Sequence, residues 1–304
     1  MESSTGQFPK QVSQSLFQQD WWLNAVTEGN WEKQTVSTKF GDVSPVYGLR
    51  RRYGGIREIY SPPLSPYSGL YIDAQRPLSA SDQYKLFDNA IPELLKKLPR
   101  YGRFKLNMSP EFNWWSPFYW AGFNQHTRYT YILDKISQHE ACWEKFNSNI
   151  RRNIRKAEKH ITVSQCTNTT TLYSLFSKTM DNQGNKPGYP ASVIENVYRE
   201  AVAQNVGTIL TGYDEENKPH CSLFLVWDKE YAYYLSGGTD PELRSSGAMT
   251  LTMWQAIKLA SEHVDTFNFE GSMQKGIDQF LRGFGAVATP YYSIGKGIFS
   301  GKIT

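Results

Sequence analysis

Residues 208–272, TILTGYDEENKPHCSLFLVWDKEYAYYLSGGTDPELRSSGAMTLTMWQAIKLASEHVDTFNFEGS, carry the order that decides the fold. Three apolar runs, Thr208–Tyr213, Cys221–Trp227 and Tyr231–Leu235, follow one another closely across the turn-rich segments DEENKP and DKE. That spacing predicts an antiparallel meander. A Gly-rich loop, Ser236–Gly247, then leads into a helix over Ala248–Glu262, a strand over Thr266–Phe269, a helix over Gly276–Phe284 and a final strand around Tyr291–Ile294. Antiparallel strands followed by loop, helix and one more strand make a mixed α/β (α+β) arrangement.

Working outward, residues 137–159 read as helical and strongly basic, with a strand at Ile161–Gln165, a helix at Thr171–Asp181, the loop NQGNKPGYP and a helix at Ala191–Gln204. The first half begins with a helix within SLFQQDWWLNAV (Ser15–Val26). A strand pair, Val46–Arg52 and Ile56–Tyr60, meets across Tyr53-Gly54-Gly55. The segment SPPLSPYSG (Ser61–Gly69) has three prolines, each with φ fixed and no amide donor, so it is expected as an ordered loop outside any ladder. Ser79 or Ser81 caps a helix ending at Leu98, and strands follow at Phe104–Met108 and His126–Leu133.

A chain of 304 residues exceeds one ordinary core, and the pattern divides it into domains at 1–135 and 136–304. A net charge of +4 is too small for a dedicated DNA binder, so where the charge gathers matters more than its sum. Three cysteines without CxxC spacing fit neither a disulfide framework nor a zinc site, and five histidines form no ligand spacing, so no metal is expected and a reducing cytoplasm is the expected setting. No signal peptide or apolar run of membrane-spanning length is found, so a lipid-linked substrate would be met from the aqueous side by peripheral contact.

Three features carry chemistry. At the loop-to-helix junction, Gly237, Gly238, Arg244, Gly247 and Ala248 combine flexible backbone with a helix N-terminus, where free N–H groups and the dipole favour a pyrophosphate; an ordinary strand-to-helix connection is the plainer alternative. The strand Phe267-Asn268-Phe269 stops at Glu270-Gly271-Ser272, which puts an acid at a strand end as a base, an amine anchor or simply a helix cap. The run Arg151-Arg152-Asn153-Ile154-Arg155-Lys156-Ala157-Glu158-Lys159 packs five cations into nine residues, either a solvated face or a contact for phosphate through Arg151, Arg155 and Lys156.

Taken in order, SLFQQDWWLNAV, SPPLSPYSG, RRNIRKAEK, YLSGGTD, GAMTLTMWQAIKLA and FNFEGSMQKGIDQFLRGFGA resemble the Fem family over nearly the whole chain. That family comprises peptidoglycan-bridge aminoacyltransferases and related acetyltransferase-like proteins of bacterial polysaccharide clusters, and Arg244-Ser-Ser-Gly247-Ala248 resembles the acetyltransferase coenzyme A loop. The resemblance implies two tandem GNAT-like acyltransferase domains, the second carrying the donor loop. It also implies acyl transfer to an amine on an amino sugar, a nucleotide sugar or a lipid-linked or other cell-envelope precursor. The expected co-substrate is acyl-CoA or aminoacyl-tRNA, with no tightly bound cofactor; tRNA is a partner in the second case, and a non-catalytic precursor-binding protein is the remaining alternative. Glu270, Ser272 and Arg282 are the catalytic candidates, with Leu235, Ser236 and Gly237 holding the oxyanion beside the donor loop. Tyr67 and Ser68 join the basic run as acceptor contacts. The family carries a lysine after the phenylalanine matched by Phe280; here that place is Leu281, with Arg282 beside it.

Overall fold

The computed structural model describes residues 11–271 and 273–297. The chain forms two compact units, one from residues up to Arg128 together with those from Pro290, the other Tyr129–Thr289.

The first unit opens with α1 (Asp20–Thr27), then β1 (Trp31–Lys33), β2 (Val36–Thr38), β3 (Gly41–Arg51), β4 (Arg57–Tyr60) and β5 (Leu70–Asp73). Next come α2 (Ala80–Lys97), β6 (Arg103–Asn107) and α3 (Ser116–Trp120). Ser79 starts α2 by accepting a hydrogen bond from the Asp82 amide at 3.1 Å. The long β3 serves two ladders: its first half pairs β2 and β5, its second half β1 and β4. β4 then runs parallel to β6. The core lies where Leu86, Phe87 and Ile91 of α2 meet Val43, Ile59 and Phe104 of the strands.

β7 (Asn124–Asp134) leads into the second unit. There follow α4 (His139–Lys145), α5 (Ser148–Ala157), β8 (Thr162–Cys166), α6 (Thr169–Asn182), α7 (Ala191–Ala203), β9 (Gly207–Tyr213), β10 (Pro219–Trp227), β11 (Ala232–Thr239), α8 (Ala248–Ala260), β12 (Thr266–Asn268) and α9 (Lys275–Gly283). The helical span expected over 137–159 is two helices, because Asn147 leaves helical geometry and caps α5 by accepting from the Ile150 amide at 2.9 Å. The strands lie in the order β7-β12-β11-β10-β9-β8, antiparallel except for the parallel pair β11 and β12. α8 is apolar on most sides and accordingly buried, with Leu251, Met253, Trp254 and Ile257 in a core shared with Phe267, Phe269 and Phe284.

The last strand, β13 (Val287–Gly297), pairs β6 antiparallel from Ser293 to Gly297, so the end of the chain folds with the first unit. No helix among the described residues is long and apolar enough to cross a membrane.

Candidate functional site

The parallel contact between β11 and β12 is short. Ala232 pairs Phe267 and Tyr233 pairs Asn268, after which β12 ends while β11 continues to Thr239. β11 also changes register against β10, Phe224 facing Ser236 and Leu225 facing Tyr234, which leaves Leu235 as an extra, bulged residue. The sequence pattern placed Ser236–Gly238 in a loop, but they are strand, and the absence of side chains on Gly237 and Gly238 serves close packing. A Cβ on Gly238 would lie 2.3 Å from the Leu175 backbone of α6, and one on Gly237 would lie 2.8 Å from the Ser222 carbonyl and the Tyr234 hydroxyl.

Glu270 stands just beyond the end of β12 in left-handed backbone, φ +60°, a conformation that costs a non-glycine residue about 1 kcal/mol or more and persists only where neighbours impose it. They do so here. The Phe269 amide donates to the Tyr131 carbonyl at 2.9 Å, and the Glu270 amide donates to Asn268 Oδ1 at 2.8 Å. Asn268 is itself held by the Thr130 hydroxyl at 2.6 Å. Gly271 cannot carry a side chain, since a Cβ would lie 2.2 Å from the Tyr129 carbonyl. The Glu270 carboxyl is no helix cap, for the cap position of α9 is Gln274. Its Oε1 is buried with no hydrogen-bond partner, and burial holds its pKa well above the ordinary glutamate range.

Around this carboxyl lie aromatic residues the sequence did not single out. Tyr189, from the loop between α6 and α7, shares a hydrogen bond with Ser236 Oγ at 3.1 Å and stacks on Phe176 with centroids 5.4 Å apart. The Tyr173 hydroxyl donates to the Tyr189 carbonyl at 2.9 Å. Burial above all pushes the phenols of Tyr189 and Tyr234 upward, with Glu270 among the lesser contributors to both, so both stay protonated at neutral pH. Tyr234 sits in the YAYY run, where alternation alone does not separate a core ring from one beside the acid.

The loop into α8 is a tight turn over Pro241–Ser246 started by Asp240, whose carboxylate accepts from the Glu242 amide and pairs with Lys178 at 2.7 Å. Gly247 caps α8 at φ +81°. A Cβ there would come within 2.9 Å of the Asn153 carbonyl of α5, and Lys156 Nζ donates to the Ser245 carbonyl at 2.8 Å. The basic helix thus backs this loop. Ile150, Ile154 and Ala157 bury one side of α5, while Arg151, Arg152, Arg155, Lys156 and Lys159 line a concavity of about 420 Å³ with Ser148. Arg151 has Glu144 at 3.3 Å, and Arg155 lies over the Trp143 ring at 5.4 Å. Arg244 is exposed in the turn and Ala248 is buried at the first position of α8.

The structure brings Ser236, Gly237 and Glu270 into one neighbourhood, and Arg244, Gly247, Ala248, Arg151, Arg155 and Lys156 into another. Arg282 stands apart from both: on α9 it holds Asp278 at 2.6 Å, and the Tyr131 hydroxyl donates to that same aspartate. Leu281 is a core residue, 1% exposed. Ser272 lies outside the described residues. Tyr67 and Ser68 are in the first unit, where both are buried. Tyr67 meets the Tyr291 ring edge-on at 5.2 Å, and the Ser68 hydroxyl donates to Ser61 Oγ at 2.7 Å. Among the described residues no three His, Cys, Asp or Glu side chains group as a metal would require.

Residues 144–274 match the acetyltransferase (GNAT) domain family. Among solved structures the chain is similar to FemX, at 14% identity over 93% of each chain with a TM-score of 0.67. It is also similar to a tandem GNAT protein from the clavulanic acid biosynthesis pathway, at 10% identity over 97% of this chain and 91% of that one, TM-score 0.52. L-PGS from Bacillus licheniformis matches at 11% identity over 96% and 95%, TM-score 0.51. No curated protein matches the sequence. The fold is a tandem GNAT fold, and residues 144–274 are the part that matches the GNAT domain family.

Proposed function

From this tandem GNAT fold we propose that the chain is an N-acyltransferase that moves an acyl group from a coenzyme A-type thioester to an amine on an amino sugar, nucleotide sugar or cell-envelope precursor. The observation that carries the reading is the parting of β11 from β12 beside a carboxyl whose Oε1 is buried and unpartnered: a strand edge bearing the Leu235 bulge lies next to the Glu270 corner. Strand amides that are not spent on a neighbour are available to an acyl carbonyl, and a carboxyl whose pKa burial raises is a stronger base than an ordinary glutamate once ionised.

In the proposed reaction the acceptor nitrogen attacks the thioester carbonyl, the C–N bond forms and the C–S bond breaks. The nitrogen's proton passes to Glu270, directly or through a water. The leaving thiolate takes a proton through the Tyr234 or Tyr189 hydroxyl, which regains one from the protonated Glu270, so that the amine's proton ends on the thiol and the side chains return to their starting state. Backbone amides about Leu235, Ser236 and Gly237 hold the oxyanion. Donor phosphates rest on the loop Arg244–Gly247 and the first turn of α8 from Ala248, with α5 supplying charge from behind. Lys156 and the Gly247–Asn153 contact tie α5 to that loop, which favours the donor over the acceptor as the partner of Arg151 and Arg155.

A thermal-shift screen separates the donors, because a ligand that binds only the folded state raises the melting temperature. Coenzyme A is expected to raise it and uncharged or aminoacylated tRNA to leave it unchanged. A response to aminoacyl-tRNA alone would replace the thioester by that donor, and no response to either would favour a precursor-binding protein without activity.

A further inference from the structure

The first unit carries a cationic concavity that the proposed reaction does not use. Residues 49–60 (LRRRYGGIREIY) and 99–105 (PRYGRFK) contain seven cations, Arg50, Arg51, Arg52, Arg57, Arg100, Arg103 and Lys105, and one carboxylate, Glu58. Glu58 is 2% exposed and fully engaged: Arg50 at 2.7 Å and Arg52 at 2.6 Å share one oxygen, and Arg103 takes the other at 3.2 Å. Burial alone would raise its carboxyl, but Arg50 and Arg52 hold it below the ordinary glutamate value, so it stays ionised. One buried anion therefore fixes three guanidiniums and leaves the local charge strongly positive.

The other three arginines have no such partner. Arg51, Arg57 and Arg100 are exposed, and no carboxylate among the described residues pairs with them. They line one concavity of about 430 Å³ together with Gly55 and Tyr101. Arg51 and Arg57 are direct partners in the β3–β4 ladder, and like charges facing each other there are destabilising. Backbone contacts hold the arrangement together all the same: the Arg52 amide donates to the Ile56 carbonyl at 2.8 Å, and the Gly102 amide to the Arg57 carbonyl at 2.9 Å, which brings the Arg100 loop against the hairpin. The positive field reaches further along β6, where burial and then the Arg128 and Arg103 charges push the Lys105 ammonium down.

We propose that this hairpin concavity is a phosphoryl-binding site of the first unit, in which Arg51, Arg57 and Arg100 grip a phosphate or diphosphate group on a ligand separate from the acyl donor. Guanidinium forks match phosphate oxygens two at a time, and a bound anion relieves the Arg51–Arg57 repulsion that the empty ladder carries. The small, open concavity, bounded by a glycine turn and one aromatic ring, suits a compact head group better than a polynucleotide track. A soluble phosphorylated metabolite and a lipid phosphate head group share this chemistry.

The test is calorimetric titration of inorganic pyrophosphate at low salt into the full chain carrying Arg152→Glu and Arg155→Glu, which silences cations of the second unit. Saturable binding is expected, and adding Arg51→Ala, Arg57→Ala and Arg100→Ala should weaken it at least tenfold without lowering the melting temperature. Arg57→Lys alone should give an intermediate loss, since it keeps the charge and loses the fork. Co-sedimentation with phosphatidylglycerol vesicles, against phosphatidylcholine vesicles, assigns the source: retention that needs the three arginines means a lipid head group, and none, with pyrophosphate still bound, means a soluble ligand. Equal pyrophosphate affinity in the triple variant, or no saturable binding before it, would overturn the site. So would an RNA oligonucleotide that binds these arginines a hundredfold tighter than pyrophosphate. None of these outcomes depends on acyl transfer, so the site and the proposed reaction can fail separately.

Discussion

Replacing Glu270 by Gln probes the reaction and the fold through one atom. Gln keeps the shape and cannot ionise. If Glu270 is the base, turnover, followed as thiol released from an acyl-CoA in the presence of an amine, falls by roughly a hundredfold to ten-thousandfold, about 3 to 5 kcal/mol of barrier. The wild-type rate should climb with pH through the raised Glu270 pKa, because the base must first lose its proton. Stability runs the other way. The folded state holds the Glu270 proton more tightly than the unfolded chain, so wild-type stability is full below about pH 4.5, the ordinary glutamate value, and is lost as pH rises toward the folded-state pKa. Each pH unit over that window is worth about 1.4 kcal/mol. The Gln variant escapes this loss and should melt above wild type at pH 8, the difference shrinking toward pH 4.5. A variant that melted like wild type at every pH would mean Oε1 is solvated. One that kept full turnover would remove Glu270 from the chemistry.

Gly247→Ala should lower stability by about 1–2 kcal/mol from its left-handed backbone alone, and further because the new Cβ meets the Asn153 carbonyl at 2.9 Å; an unchanged melting temperature would refute the close seating of α5 on the loop. Arg152→Glu with Arg155→Glu should weaken coenzyme A and flatten the salt dependence of its binding, while melting shifts little because both side chains are exposed. Unaltered affinity at low salt would make α5 a solvated face. Leu281→Lys, which restores the residue type of the resembled family, should cost several kcal/mol by forcing a charge into the core, readable as a lost or much earlier thermal transition. A native melting curve would show that position 281 can reach water.

The meander, α8 and α9 were legible because their apolar periods are strong and turn residues bound them. Glu270 could be picked out as an acid ending an alternating strand. What makes it unusual could not: its left-handed backbone follows from Asn268, Thr130 and Tyr131, and two of these lie on a strand more than a hundred residues earlier. Tyr189 arrives from a loop whose path depends on how α6 and α7 pack. Ser236–Gly238 looked like a loop because glycines usually mark one, whereas here they let β11 pass against α6 and β10. The hairpin arginines read locally as a charged turn; their convergence with Arg100 needs the Gly102–Arg57 contact that brings distant segments together.

The proposed donor loop is tested most directly by titrating coenzyme A into the wild-type chain and into Arg244→Ala at low salt. The account predicts saturable binding to wild type and a loss of about tenfold in the variant, the worth of one charge-assisted phosphate contact, with no change in melting temperature. Wild-type protein that takes up no coenzyme A, or a variant that binds it equally well, would contradict the account.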